Sequence, residues 1–319
     1  MEEAYKVGHV VELITPARFL FNAGSTPKAW NNKMLQDKHF KVVTYEPDSG
    51  KVFNNISIPG GVAVTYYDNN ASFAPIEVFS QFEVLNTVRQ KIMMHPDFSS
   101  MEAIVVSRTA YRLTEKMHQD HPEAISQLSK GHAYDMSSNI FERLPQIFFD
   151  IIPDKANKYI RMYGKIGTER IYKYIRADYV REVSNLYNYK VVMARADGAA
   201  GTVGNPIPAR IIGTPHLEEP STGTTETFLS IGSFDSKNEG ENALKYVKTK
   251  FHRAMISILK STQDITPEKW RFVPLQNFKE ASDIDWTQSV ADIDRQLYRK
   301  YGLTQEEIDF IETHVKEME

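Results

Sequence analysis

The first 75 residues of the chain consist of short apolar runs, turn residues and one amphipathic stretch. Val10 to Ile14 is a β-branched run that Thr15-Pro16 ends, and this pattern predicts a buried strand that leaves a sheet. Three strands and one helix are too few to close a doubly wound sheet, so we expect the end of a larger domain. The predicted elements are strands at Val10 to Ile14, Phe40 to Tyr45 and Val62 to Tyr67, and a helix from Thr26-Pro27 to about Asp37.

The pattern changes twice after residue 75, and as a whole it predicts the α/β class. Apolar residues at helical spacing, such as Ile76, Phe79 and Phe82, predict a helical connection over 76–158. Strand-like runs then continue to Phe234, interrupted by a predicted loop at 196–226. The later elements are strands at Tyr159 to Tyr163, Ile171 to Ile175, Tyr189 to Ala194 and Thr227 to Ile231, and helices at Gly240 to Leu259, Val290 to Tyr301 and Thr304 to Glu317, with Gly302 between the last two.

The net charge of the chain is only −3, but the charges are unevenly distributed. Residues 151–190 carry nine Lys and Arg against four Asp and Glu, and residues 241–279 carry eight against three. Residues 280–319 are acidic, with four Lys and Arg against eleven Asp and Glu. Two basic segments in a nearly neutral protein indicate a surface that binds a polyanion. The alternative is that these segments are solvated faces of helices and strands that happen to be rich in lysine.

Composition narrows the class of protein further. Apolar residues make up 41% of the 319 residues and charged residues 25%, which is enough for a sizeable core. Cysteine is absent, which excludes disulfide scaffolds, cysteine-ligated zinc and thiol nucleophiles. No apolar run is long enough to span a bilayer, and no signal-peptide pattern follows Met1. We therefore expect a soluble cytoplasmic protein with no membrane partner.

Three patterns that could carry chemistry are weak. Gly198, Gly201 and Gly204 have a repeated spacing, but the Lys-Ser/Thr pair that follows a phosphate loop is missing. His118 and His121 lie in a polar stretch, where a solvated helix end explains them more simply than a metal site does. The acidic residues of 283–294 are typical of a capped turn that leads into a helix. No catalytic residue and no metal ligand is therefore assigned.

Basic residues and tyrosines alternate between Lys155 and Lys190. Lysine and arginine neutralise phosphates, and tyrosine can stack on a base or bond to the backbone of a nucleic acid. In a strand, however, Tyr172 and Tyr174 share one face and Lys173 takes the other, so some of these tyrosines must be core residues. The residues predicted to bind double-stranded DNA are Lys165, Arg170, Lys173, Tyr174, Arg176, Lys245, Lys248 and Arg253.

Several sequence blocks at the two ends of the chain occur in a recognisable order. They are Leu13 to Leu20, Trp30 to Leu35 and Val52 to Val62 near the start, and Ile231 to Phe234, Glu241 to Phe251, Thr262 to Asp264, Val273 to Phe278, Ser282 to Trp286 and Gln296 to Leu303 near the end. This order resembles the Eco57I-type adenine-specific DNA methyltransferases of restriction–modification systems. The resemblance covers both ends of the chain, and 76–158 is its least similar part.

The resemblance implies a division of the chain and a role for one aromatic residue. Residues 1–75 would be the last strands of a Rossmann-like methyltransferase domain, 76–158 a helical connection, 159–280 an α/β target-recognition domain and 281–319 an acidic helical tail. Enzymes of this family use S-adenosylmethionine, flip an adenine out of the duplex and stack it on an aromatic residue. Phe53 occupies that place in this sequence. The alternative is that Phe53 is a core residue at a strand end.

Two elements of this family do not occur in the sequence. The catalytic tetrapeptide Asn-Pro-Pro-aromatic is absent, and Asn205-Pro206-Ile207-Pro208 is a similar string in the wrong place. The glycine-rich loop that approaches S-adenosylmethionine is also absent. The chain is therefore expected to bind no cofactor, to be inactive alone, and to have a separate amino-terminal methyltransferase half as its partner. The alternatives are a stand-alone DNA-binding specificity subunit and a protein-interaction adaptor of a defence system.

Overall fold

A computed structural model describes most of the chain, in the ranges 1–22, 25–54, 56–80, 82–196, 206–260 and 263–318. Within these ranges the chain forms ten α-helices and ten strands, and the strands make three sheets that are almost entirely antiparallel. The class is therefore mixed α and β, as the sequence predicts. The weak motifs at Gly198, Gly201, Gly204 and Asn205 and the position of Thr262 lie outside the described residues.

Three strands and two helices form the amino-terminal unit, and the predicted strands and helix are confirmed. They are α1 Glu2–Val7, β1 Val10–Pro16, α2 Lys28–Gln36, β2 Phe40–Glu46 and β3 Val62–Asp68. β3 lies in the middle of the sheet, antiparallel to β1 on one side and to β2 on the other. Apolar side chains of α2 and of a 3₁₀ turn at Ala17–Phe21 form a small core with Phe40 and Ala63.

Apolar side chains on this sheet remain exposed along its outer strands. Within the described residues β1 pairs with β3 alone, and none of the residues of β1 is buried. Val10 is 53% exposed and Ile14 is 55% exposed, and Val43 on β2 is 52% exposed. The prediction of a buried strand at this place is therefore wrong for the chain by itself, because β1 is an edge strand.

Residues 76–158 are less helical than the sequence predicts. The segment contains one helix of three turns, and its remaining helices are short. The elements are α3 Glu83–Met94, β4 Val105–Val106, α4 Glu115–Asp120, α5 Ala124–Gln127 and α6 Ile140–Arg143. Proline interrupts the helical pattern at Pro96, Pro122, Pro145 and Pro153, where it removes a backbone donor and disfavours helical geometry in the preceding residue.

Two further sheets follow in the chain. Their strands are β5 Tyr159–Ile166, β6 Glu169–Arg176, β7 Tyr189–Ala194, β8 His216–Glu218, β9 Thr222–Thr224 and β10 Phe228–Phe234. The strand orders are β4-β10-β7-β8 and β6-β5-β9, and only the β5–β9 pair is parallel. The strands predicted over Tyr159 to Phe234 are confirmed. The loop predicted at 196–226 is wrong for β8 and β9, since three residues are too few to show an alternating pattern.

The predicted helix from Gly240 to Leu259 is in fact two helices, α7 Lys237–Lys248 and α8 Lys250–Ser257. The backbone of Thr249 is extended, with ψ at 148°, and its hydroxyl accepts a hydrogen bond from the amide of His252. The carboxylate of Asp294 accepts from the amides of Lys250 and Phe251, each at 2.9 Å. These acceptors satisfy the free N–H groups at the start of α8, and they stabilise the break between the helices.

The two helices predicted in the tail are confirmed as α9 Val290–Lys300 and α10 Gln305–His314. Gly302 ends the first with a φ of +59°, and Thr304 begins the second in a capping box with Glu307. α10 packs against α3, and both share one large core with α7, α8, β7 and β10. A second core surrounds α6, β5 and β6. The tail is therefore part of the same packed body as the central sheet.

His252 is fully buried in the large core. Its Nε2 accepts a hydrogen bond from Nε1 of Trp270 at 3.2 Å, and its Nδ1 has no partner. Burial lowers the pKa of His252 to about 3, and the neighbouring Arg253 lowers it further in the same direction. The imidazole is therefore neutral in the folded chain at pH 7, whereas in the unfolded chain it takes up a proton near pH 6.5.

Replacing His252 with Gln should remove one pH-dependent component of stability while keeping an acceptor for Trp270. Between pH 6.5 and about 3 the unfolded chain binds the extra proton, so the natural chain should lose up to about 1.4 kcal/mol of unfolding free energy per pH unit relative to H252Q. Urea unfolding at several pH values measures the difference. His9→Gln, at an exposed position, is the control and should leave the profile unchanged. Parallel pH profiles for H252Q and the natural chain would contradict the prediction.

Candidate nucleic-acid interface

β5 and β6 form a hairpin whose tip projects into solvent. Register places Lys165 opposite Arg170 and Ile166 opposite Glu169, with Gly167 and Thr168 in the turn. Gly167 has a φ of +57°, a left-handed conformation that glycine adopts without strain. All residues from 166 to 170 are exposed, and a Cβ built on Gly167 would meet nothing within 4 Å. The tip is therefore available to a partner.

The structure brings two of the predicted DNA-binding residues together at this tip. Lys165 and Arg170 lie directly opposite each other, and with Arg195 they line an open cavity of about 350 Å³. Arg195 pairs with Asp264 at 2.9 Å, but among the described residues neither Lys165 nor Arg170 forms an ion pair with a carboxylate. Like charges directly opposite on a hairpin are destabilising. A bound polyanion would relieve this repulsion.

A row of stacked rings connects the hairpin to β10. The guanidinium of Arg170 lies 5.6 Å from the ring centroid of Phe228, and Phe228 stacks on Tyr163 with centroids 4.3 Å apart. Tyr163 in turn contacts Tyr172, whose ring lies 4.9 Å from the guanidinium of Arg161. Phe228 is fully buried, so it offers Arg170 a fixed surface. Cation–aromatic contacts of this kind restrict the orientation of the planar guanidinium.

A buried polar network lies beside these rings. The carboxylate of Glu218, which is 2% exposed, accepts a hydrogen bond from the hydroxyl of Tyr172 at 2.5 Å and lies 2.9 Å from Nε2 of His216. Arg161 approaches the same carboxylate at 3.7 Å. Burial raises the pKa of Tyr172, and the contact with Glu218 raises it further. The network therefore holds Tyr172 as a protonated donor.

Lys190 is a fully buried lysine in the same region. Its ammonium donates hydrogen bonds to the carbonyl oxygens of Leu186, Glu219 and Thr222, at 3.3, 3.4 and 2.9 Å. Burial lowers its pKa to about 8, and the nearby charge of Glu218 opposes this shift. The three carbonyl oxygens and the nearby carboxylate of Glu218 both favour the charged ammonium.

The other predicted residues of β6 have partners within the chain. Lys173 forms an ion pair with Asp150 at 2.5 Å, and its side chain is only 16% exposed. Tyr174 is half-buried and pairs through its backbone with Phe149. Arg176 pairs with Asp178 at 2.6 Å and with Asp120 at 3.3 Å. The charges of Lys173 and Arg176 are compensated locally, so these two residues contribute less to attraction of a polyanion than Lys165 and Arg170 do.

The predicted residues of α7 and α8 lie away from the hairpin. Lys245 donates to the carbonyl oxygens of Trp286 and Gln288, at 2.7 and 3.2 Å. Lys248 lines a cavity of about 440 Å³. Arg253 is fully buried. Its guanidinium donates to the carbonyl oxygens of Lys248, Thr249, Arg210 and Lys316. The prediction that Arg253 binds DNA is not supported by this position, because the side chain is buried and its guanidinium is engaged by backbone carbonyls.

Phe53 lies in the loop between β2 and β3, after a 3₁₀ turn at Ser49–Lys51. Its amide donates to the carbonyl oxygen of Ser49 at 2.8 Å, and its side chain is 36% exposed. Val52 and Ile56 in the same loop are 41% and 50% exposed. Phe53 belongs to none of the apolar cores of the described residues. Its ring is therefore accessible.

Sequence reasoning missed the residues that support the hairpin. Arg195 and Phe228 lie in 191–240, which as a whole is not basic, and nothing in their local pattern relates them to Arg170. Lys190 stands in a strand-like run, where the pattern does not indicate that a lysine is buried. Glu218 lies in 196–226, the segment that the sequence predicts to be a loop. Only the pairing of the strands places these residues together.

Lys190→Met is expected to destabilise the chain by about 3–5 kcal/mol, because it leaves three buried carbonyl oxygens without their donor and removes a positive charge near the buried carboxylate of Glu218. Urea unfolding at pH 7 measures the change. Lys237→Met, at a position whose side chain is 60% exposed, is the matched control and should change stability by less than about 0.5 kcal/mol. An effect of K190M as small as that of the control would show that the buried charge is not stabilising.

Within the part of the chain that the structure describes, no helix is both long and apolar enough to cross a membrane, and no group of three His, Asp or Glu side chains is arranged to hold a metal ion. Comparison with protein-family models and with curated proteins finds no match to this chain.

Proposed function

We propose that this chain is the DNA-recognition and base-pocket half of a site-specific adenine-N6 DNA methyltransferase of a restriction–modification system, and that it is inactive alone. The observation that carries the proposal is the exposed basic hairpin, with Lys165 and Arg170 opposite each other and without carboxylate partners among the described residues. The resemblance of the two ends of the sequence to the Eco57I-type enzymes supplies the enzyme class.

The hairpin supports recognition of DNA because its charge is free to act outside the chain. A protein that places lysine and arginine on phosphates releases counterions, and this release drives binding. Two uncompensated cations and a cavity that Arg195 also lines suit a phosphate backbone better than an apolar partner. Duplex DNA is the polyanion that the proposed enzyme class recognises.

The amino-terminal unit supports the second part of the proposal, an incomplete domain. β1 has an unpaired outer edge among the described residues, and Val10 and Ile14 are exposed on it. Apolar strand residues of this kind are usually covered by another strand or by a helix layer. A separate amino-terminal methyltransferase half would cover them. Phe53 is the accessible aromatic ring of this unit that we propose stacks on the flipped adenine.

We propose that this unit does not itself hold S-adenosylmethionine. A Cβ added to Gly61 would lie 2.4 Å from the carbonyl oxygen of Glu46, and one added to Gly60 would lie 2.8 Å from Cγ of Arg18. The space beside these glycines is therefore filled by the chain itself. We propose that the other half of the enzyme supplies the cofactor site and the catalytic tetrapeptide.

Lys165→Ala should weaken binding to duplex DNA and make it less sensitive to salt. If Lys165 contacts one phosphate, the slope of log K against log salt should become less steep by about 0.9. Fluorescence anisotropy with a labelled duplex at several salt concentrations measures this slope. Lys237→Ala, on the exposed start of α7, is the control. An unchanged slope for K165A, or equal effects of the two variants, would remove the hairpin from the interface.

Phe53→Ala should leave the melting temperature nearly unchanged, because the ring is exposed and packs in no core. Phe40→Ala, at a fully buried position of the same unit, should lower the free energy of unfolding by about 3–5 kcal/mol. Thermal unfolding by circular dichroism compares the two. A loss of stability in F53A as large as that in F40A would mean that Phe53 is a core residue and would argue against the stacking role.

A further inference from the structure

We propose that Arg170 is the residue of the hairpin that reads base sequence, by donating two hydrogen bonds to a guanine in the major groove, while Lys165 contacts a neighbouring phosphate. This inference rests on the proposed function, since it names how the chain would recognise its DNA. It gives different roles to two cations that the sequence does not distinguish.

The shape of the hairpin fits the groove. The major groove of B-form DNA is about 12 Å wide and admits a two-stranded ribbon. β5 and β6 are each eight residues long and paired without a register shift up to the turn. β5 also pairs with β9 from Arg161 to Tyr163, so the two-stranded ribbon is the end of the hairpin, from Gly164 to Ile171. Every residue from 166 to 170 is exposed, and nothing lies within 4 Å of the Cβ position of Gly167. The tip is therefore exposed to a partner.

The surroundings of Arg170 favour reading a base. Its guanidinium lies over the buried ring of Phe228, 5.6 Å from the centroid. This contact already restricts the side chain, so binding DNA costs less conformational entropy. A guanidinium presents paired donors that match O6 and N7 of guanine, which is the commonest specific contact in the major groove. Arg170 is exposed, so its guanidinium remains accessible to a partner beside Phe228.

The surroundings of Lys165 favour a phosphate. Lysine presents a compact point charge on a flexible stem, which suits electrostatic contact but not bidentate recognition of a base edge. Glu169 is the one carboxylate of the exposed tip, and it lies opposite Ile166. Arg195 contributes a third cation to the cavity, but its charge is shared with Asp264.

Selection from a library of duplexes with a randomised central segment, followed by sequencing of the bound fraction, tests this proposal. The natural chain should enrich guanine at one or more fixed positions. Arg170→Lys keeps the charge and removes the planar fork, so enrichment of guanine at one position should fall about tenfold or more, while affinity for unselected DNA changes little. Lys165→Ala is the matched variant and should weaken binding to all sequences alike without changing the preference.

The outcomes separate this inference from the proposed function. If the natural chain binds no duplex, the proposed function itself is overturned. If it binds duplexes and R170K selects the same sequence as the natural chain, or if the natural chain shows no preference at all, base reading by Arg170 is overturned and DNA binding stands. A stronger affinity for single strands than for duplexes would also overturn the groove-reading role. Circular dichroism of R170K and K165A confirms that both variants fold.

Discussion

Glu218 is a carboxylate in the interior of the chain, and the arrangement of the two central sheets depends on how it is compensated. Groups from different strands lie around it: Tyr172 of β6 donates to it, Arg161 of β5 lies 3.7 Å away, and the buried ammonium of Lys190 on β7 adds a nearby positive charge. A buried charge is stable only when such partners surround it, so the network holds these strands together. The rings that run from Tyr172 to Phe228 lie next to it. The basic hairpin is therefore an extension of a fixed framework.

The lysines and arginines of the chain can attract an anionic partner only where no carboxylate of the chain lies beside them. Lys173, Arg176 and Lys250 each pair with a carboxylate of another segment. Arg253 is enclosed by backbone carbonyls. The positive balance of a sequence segment therefore overstates the potential at its surface, because acidic residues from elsewhere neutralise part of it. Part of what remains lies at the turn of the β5–β6 hairpin, where Lys165 and Arg170 are directly opposite each other.

The sequence predicts those parts of the fold that have a local signal. Gly302 and Thr304 mark the boundary between α9 and α10, and the alternating runs mark β5, β6, β7 and β10. The break between α7 and α8 could not be predicted, because it depends on Asp294 from a distant helix. The candidate nucleic-acid interface could also be predicted only in part. Lys165 and Arg170 were predicted from charge, but the contact of Arg170 with Phe228 arises only when β10 packs beside the hairpin.

The exposed edge of β1 has a consequence for the chain when it is expressed without a partner. An unpaired strand with apolar side chains is a template on which strands of other molecules can add, and such edges lead to aggregation. β1 carries two features that oppose this. Glu12 places a charge between the exposed Val10 and Ile14, and Pro16 ends the strand without a backbone donor. These residues act as gatekeepers, which limit uncontrolled strand addition while the edge remains open.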